Sequence, residues 1–147
     1  MNPADALRVL ADPGGPCAHF VPGSEYAGRV WLPVVGPASW TTWQVLARNA
    51  TLHPGGWTTS LDELSALVGL GSPQGNQSGI ARALRRLDRF RIVRPLGDGR
   101  LVVRCSLPFV TPAQLERLPA VVQAVHHQLH DRHTAFCPGR TPPASVA

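Results

Sequence analysis

The chain has 147 residues, enough for one domain with extensions and too few for two full domains. Its apolar content of 44% supports a real core, but no apolar run approaches the roughly 20 residues of a membrane helix, so no membrane role is expected. The net charge of +5 rests on 14 basic residues, every one an arginine, whose planar fork suits phosphates and guanine edges.

The N-terminus, MNPADALRVLADPGG, lacks the basic start and long apolar core of a signal peptide, which predicts a cytoplasmic, nucleoid-associated protein. Cys17, Cys105 and Cys137 are scattered and form no CxxC, so neither a disulfide framework nor a zinc ribbon is signalled. Residues 2–11 read as a short helix, with Asn2 as N-cap, Pro3 in the first turn, and Leu7 and Leu10 on one side. Asp12 to Pro37 is rich in Pro and Gly and reads as an irregular arm anchored by Trp31 and Leu32. Phe20, Tyr26 and Trp31 read as packing residues rather than as a base-stacking platform. Residues 1–36 thus form an N-terminal arm.

Gly36-Pro37 opens a helix through about Asn49, with Trp40, Trp43, Leu46, Ala47 and Ala50 on its buried face. His53-Pro54-Gly55-Gly56 ends it, and Trp57–Thr59 is a short β-type run. Ser60-Leu61-Asp62-Glu63 has the form of a capping box. The helix it starts is expected to bury Leu61, Leu64 and Leu67 or Val68, and to stop at Gly69 and Gly71. The turn Gly71–Gly75 leads into NQSGIARALRRLDRF, an amphipathic helix. Ile80, Ala83, Leu84 and Leu87 fall on one side and Ser78, Arg82, Arg85, Arg86 and Arg89 on the other. Two β-rich runs follow, Arg91–Arg94 and Leu101–Cys105, around a turn containing Pro95, Gly97, Asp98 and Gly99. From Asn76 to Arg104, eight arginines face only Asp88 and Asp98, a local net charge of +6. The basic charge is therefore concentrated on one helix and one hairpin, as on a surface that meets a polyanion.

The order helix, strand, helix, turn, helix, hairpin resembles the winged helix-turn-helix superfamily over residues 37–107. SLDELSALVGL matches the first helix of the motif, NQSGIARALRRLDRF the recognition helix and RIVRPLGDGRLVV the wing. The resemblance implies a mainly α protein with a small β-hairpin (α+β), with the winged-helix domain spanning 37–110. It also implies double-stranded DNA as partner, with Gln74, Asn76, Gln77, Ser78, Arg82 and Arg85 near base edges in the major groove. Arg86 and Arg89 would grip phosphate, and Arg94 and Arg100 would flank the wing turn at a minor groove or backbone. Thr59, Ser60 and Gln44 are weaker candidates for backbone contact.

Residues 111–133 read as a last helix with a second capping box at Thr111 and Gln114 and a kink or fresh start at Pro119. Leu115, Leu118, Val122, Val125 and Leu129 form a short heptad seam, which points either to a homodimer through residues 111–136 or to packing on the chain's own domain. Residues 137–147 are Pro-rich and are expected to be disordered. His126 and His130 are four apart, a metal-ligand spacing, within a cluster that includes His127 and His133. No acid lies between them in the HExxH manner, so no metal and no cofactor are expected. No GxSxG occurs, and GLGSPQGN lacks the Lys-Ser/Thr ending of a phosphate loop, so no enzyme is expected. The function these features imply is sequence-specific transcriptional regulation. The alternatives are an accessory protein of plasmid or phage replication, and an interaction module whose arginines meet an acidic protein partner.

Overall fold

Sequence periodicity settles most helices, but the sheet that gathers them is built partly from a segment whose pattern is ambiguous. The structure, a computed structural model, describes residues 5–12, 19–71 and 78–136. The segment ALRVLAD, expected as a helix, is strand β1 (Ala6–Asp12). Leu7 and Val9 point inward and are buried, while Arg8 between them is exposed. That two-residue alternation competes with the three-residue spacing of Leu7 and Leu10. The strand wins because both of its edges find backbone partners. β1 pairs antiparallel with β2 (Trp57–Ser60) and parallel with β4 (Arg100–Arg104). β4 pairs antiparallel with β3 (Val93–Gly97), completing a mixed sheet of order β2-β1-β4-β3.

The chain divides into two compact units: Met1–Gly14 with Val35–Cys105, and Gly15–Val34 with Ser106–Ala147. The expected break after residue 36 lies close to this division, but the first strand belongs with the sheet and residues 106–110 belong with the second unit. In the first unit α2 (Pro37–Leu52) begins with Pro37 at its first turn and buries Trp40, Trp43, Leu46, Ala47 and Ala50, as expected. The Trp43 indole N–H donates to the Arg104 carbonyl at 2.7 Å, tying α2 to β4. α3 (Leu61–Leu67) is capped by Ser60, whose hydroxyl accepts from the Glu63 N–H. The reciprocal half of the expected box is replaced, because the Glu63 carboxylate accepts from Thr59 Oγ1 at 3.1 Å. α3 buries Leu64 and Ser65; Leu61 is half-buried, and of the expected alternatives Leu67 is 58% exposed while Val68 is half-buried. Leu61, Leu64, Ser65 and Val68 share the inward face at helical spacing, which turns Leu67 away from it.

After residues 72–77, α4 (Gly79–Arg89) starts at Ser78. It buries Ile80, Ala83 and Leu87 and leaves Leu84 half-buried. α4 ends with a 6→1 bond from Ile92 N–H to the Leu87 carbonyl and a 5→2 bond from Arg91 N–H to the Asp88 carbonyl, the Schellman arrangement. Arg91 holds the left-handed position there, with φ 58°. The hairpin turn is tighter than expected. Pro95 and Gly97 lie within β3, and Asp98 and Gly99, at φ 53° and 70°, make a two-residue turn of the kind that matches strand twist.

In the second unit, the expected irregular arm contains helix. A π-helical stretch (Ala27–Trp31) runs on into α1 (Leu32–Val35), burying Ala27, Val30 and Trp31. Trp31 donates its indole N–H to the Pro108 carbonyl at 2.8 Å. α5 (Pro112–Glu116) carries the complete capping box between Thr111 and Gln114. The helix then breaks and restarts as α6 (Ala120–Phe136), directly after Pro119. No described helix is long and apolar enough to cross a membrane.

Candidate nucleic-acid interface

The basic surface of the first unit is assembled from two kinds of element. On α4, burial of Ile80, Ala83 and Leu87 forces Arg82, Arg85, Arg86 and Arg89 to the solvent side, where all four are exposed. They span about 10 Å of helix axis at 1.5 Å per residue. Arg86 lies over the Phe90 ring, 5.8 Å from its centroid, which braces it against the helix end. Asp88 is the only acid on this helix.

Ser78, expected to approach base edges, has a structural task instead. It is 8% exposed, and its hydroxyl accepts from the Ala81 N–H at 3.2 Å as the N-cap of α4. Gln74, Asn76 and Gln77 lie outside the described residues. Thr59 is buried and its hydroxyl donates to Glu63, and the half-buried Ser60 hydroxyl accepts from the Glu63 N–H as the cap of α3. Arg94 and Arg100 are exposed on the β3–β4 hairpin.

No family model matches the chain, and neither the curated proteins nor the solved structures searched contain a match. The reading of the surface therefore rests on its geometry.

That geometry includes residues which the helix-and-hairpin pattern left out. Leu101 and Val103 of β4 point inward and are buried, so Arg100, Val102 and Arg104 face outward. β1 contributes Arg8, Leu10 and Asp12 to the same face, opposite Arg100, Val102 and Arg104 in turn. Arg94 on β3 lies opposite Val102. Where the end of α4 meets this face, a cleft of about 290 Å³ is lined by Arg91, Arg94, Arg104, Asp12 and Asp88. Arg8, Arg91 and Arg104 were absent from the expected contacts. Arg91 and Arg104 were legible as charge. Arg8 was not, because its place depends on β1 being a strand.

In the second unit, the expected heptad row is split between α5, its link and α6. Leu115, Leu118, Val122 and Val125 are half-buried, whereas Leu129 is 7% exposed and covered by its own chain. The His126/His130 pair is used for packing. Their ring centroids lie 5.6 Å apart, and His130 sits 4.8 Å from Phe109. His126 Nδ1 is 2.8 Å from Tyr26 Oη, which also accepts from the Val110 N–H at 3.0 Å. The phenol donates to Nδ1 or accepts from it according to which imidazole nitrogen carries the proton. Burial lowers the His126 pKa below its usual 6.5, and the neighbouring His127 and His130 lower it further against the opposing effect of Asp131. Burial raises the Tyr26 phenol far above its ordinary range, only partly countered by the Val110 N–H. Among the described residues, no three His, Cys, Asp or Glu side chains gather so that they could hold a metal ion.

Proposed function

We propose that this chain is a winged-helix DNA-binding protein acting as a sequence-specific transcriptional regulator. α4 is its recognition helix and the β3–β4 hairpin its wing. The observation that carries the reading is the one-sided surface of α4: four exposed arginines and one acid, held outward by three buried apolar residues. A helix that merely faces solvent normally mixes both signs of charge. The element order α2, β2, α3, α4, β3, β4 supports the assignment. The departure from the simplest pattern is β1, inserted between β2 and β4.

In this reading α4 enters the major groove, about 12 Å wide, with its arginines directed at guanine edges and flanking phosphates. Arg82 comes first along the outward face and is assigned to base reading with Arg85, while Arg86 and Arg89 hold backbone. The protein works as a homodimer, its second unit offering Val121, 72% exposed, beside the half-buried Val122 and Val125.

Fluorescence anisotropy with a pool of random-sequence duplexes at two salt concentrations, followed by sequencing of the bound fraction, tests this directly. The expected result is salt-sensitive binding with an enriched two-fold motif, and loss of binding in Arg82→Ala/Arg89→Ala at unchanged melting temperature. Unchanged affinity in that double variant would remove the recognition-helix assignment. Absence of duplex binding at low salt would overturn the DNA reading.

A further inference from the structure

The register of the sheet places two arginines side by side. Arg8 of β1 is the parallel partner of Arg100 of β4, and neighbouring strands lie about 4.8 Å apart. Both side chains are exposed on the face away from the helices. Like charges directly opposed across strands are unfavourable. Their other neighbours in the same row offer no relief: Thr58 lies beside Arg8, and Gly97 beside Arg100.

Arg8 is also held in place. Its Nη2 donates to the Gly55 carbonyl at 2.6 Å. A Cβ on Gly56, where φ is 109°, would come within 2.7 Å of Arg8 Nε. The Gly55-Gly56 turn therefore leaves room for the guanidinium to lie against it. The bond to Gly55 uses one of the five N–H donors of the fork. An oriented guanidinium next to a second one is suited to the oxygens of a phosphate, and orientation before binding reduces the entropy lost on binding.

We propose that Arg8 and Arg100 together grip one phosphate of the DNA backbone, so that the inserted strand β1 is part of the nucleic-acid interface. This rests on the DNA reading of α4. A phosphodiester backbone fits better than a free phosphate because the face continues in a line. Arg104 lies four residues along β4 from Arg100, about 13 Å at strand rise, beside Asp12 of β1 and with Arg94 on the adjacent strand, so the face stays net basic along its length. A repeating polyanion engages such a strip, whereas a lone anion needs only the pair.

The test is the salt dependence of duplex binding by the full chain. Arg8→Gln is the decisive variant, since it removes the charge and keeps a polar N–H on a side chain two bonds shorter. Arg8→Ala accompanies it, with Arg48→Ala, an exposed arginine of α2, as the control. Loss of one phosphate contact should reduce the slope of log K against log[salt] by about 0.9 in Arg8→Gln, with the enriched motif unchanged. The melting temperature of Arg8→Gln should not fall, because the like-charge pair is relieved. A wild-type slope in Arg8→Gln, with binding still lost in Arg82→Ala/Arg89→Ala, overturns this proposal and leaves the α4 reading standing. A lowered melting temperature with a wild-type slope makes Arg8 a loop brace and overturns it as well. Stabilisation by inorganic phosphate that depends on Arg8, without a change in duplex slope, reassigns the pair to a free anion. Failure of the wild-type chain to bind duplex overturns both proposals together.

Discussion

Arg91 shows how one residue serves two demands. It sits at φ 58°, the position after a helix that glycine fills most easily, and it lines the cleft between α4 and the sheet. A non-glycine residue there costs about 1–2 kcal/mol, offset in part by the greater chain entropy that glycine would lose. Arg91→Gly should therefore raise stability by about 0.5–1 kcal/mol, read by denaturant titration, while weakening duplex binding through the lost charge. A destabilised Arg91→Gly would mean that the guanidinium contributes more to the fold than its backbone costs. Gly99 illustrates the opposite constraint: φ is 70° and an added Cβ would lie 2.8 Å from the Ala6 carbonyl oxygen. That contact belongs to the docking of β1 against the β3–β4 hairpin, where Arg8 N–H donates to the Gly99 carbonyl at 2.7 Å.

At the scale of elements, α4 separates its two tasks by face. Ile80, Ala83 and Leu87 face the core, and the arginines do not contribute to it. Leu87 is fully buried and also joins Ile92 across the helix end, so Leu87→Ala should destabilise the fold by ~2–5 kcal/mol. The arginine variants should leave the denaturation midpoint in place. A near-wild-type midpoint for Leu87→Ala would contradict the packing described. The caps were legible because each is a local pattern. Thr111 with Gln114 forms its full box, and Pro119 marks the break before α6. The Ser60 box was only half legible, since Glu63 has a choice between a backbone N–H and the Thr59 hydroxyl, and burial of Thr59 decides it.

At the scale of the whole molecule, the buried His126 links stability to pH. Its pKa is lowered in the folded chain, so the unfolded chain binds the proton more readily. The contribution of His126 is therefore fully present above pH 6.5, the ordinary value, and is lost as pH falls from there toward the lowered folded value. Thermal unfolding should show a melting temperature that declines below pH 6.5, and His126→Gln, whose amide can both donate and accept, should flatten that decline. An undiminished pH dependence in His126→Gln would assign the effect to other groups.

By itself the sequence determined α2, β2, α4 and the hairpin, the cap of α5 and half of that of α3, the break at Pro119 and the placing of basic charge on one helix and one hairpin. All of these depend on residues a few positions apart, where helix period, proline geometry and side-chain capping act. Only the tertiary structure decided that residues 6–12 are a strand, that Arg8 stands beside Arg100, and that Tyr26 shares its hydroxyl with His126. A short apolar run fits helix and strand alike until a partner strand satisfies its backbone groups. That partner lies about ninety positions away for β1, at Arg100–Arg104, and a hundred for Tyr26.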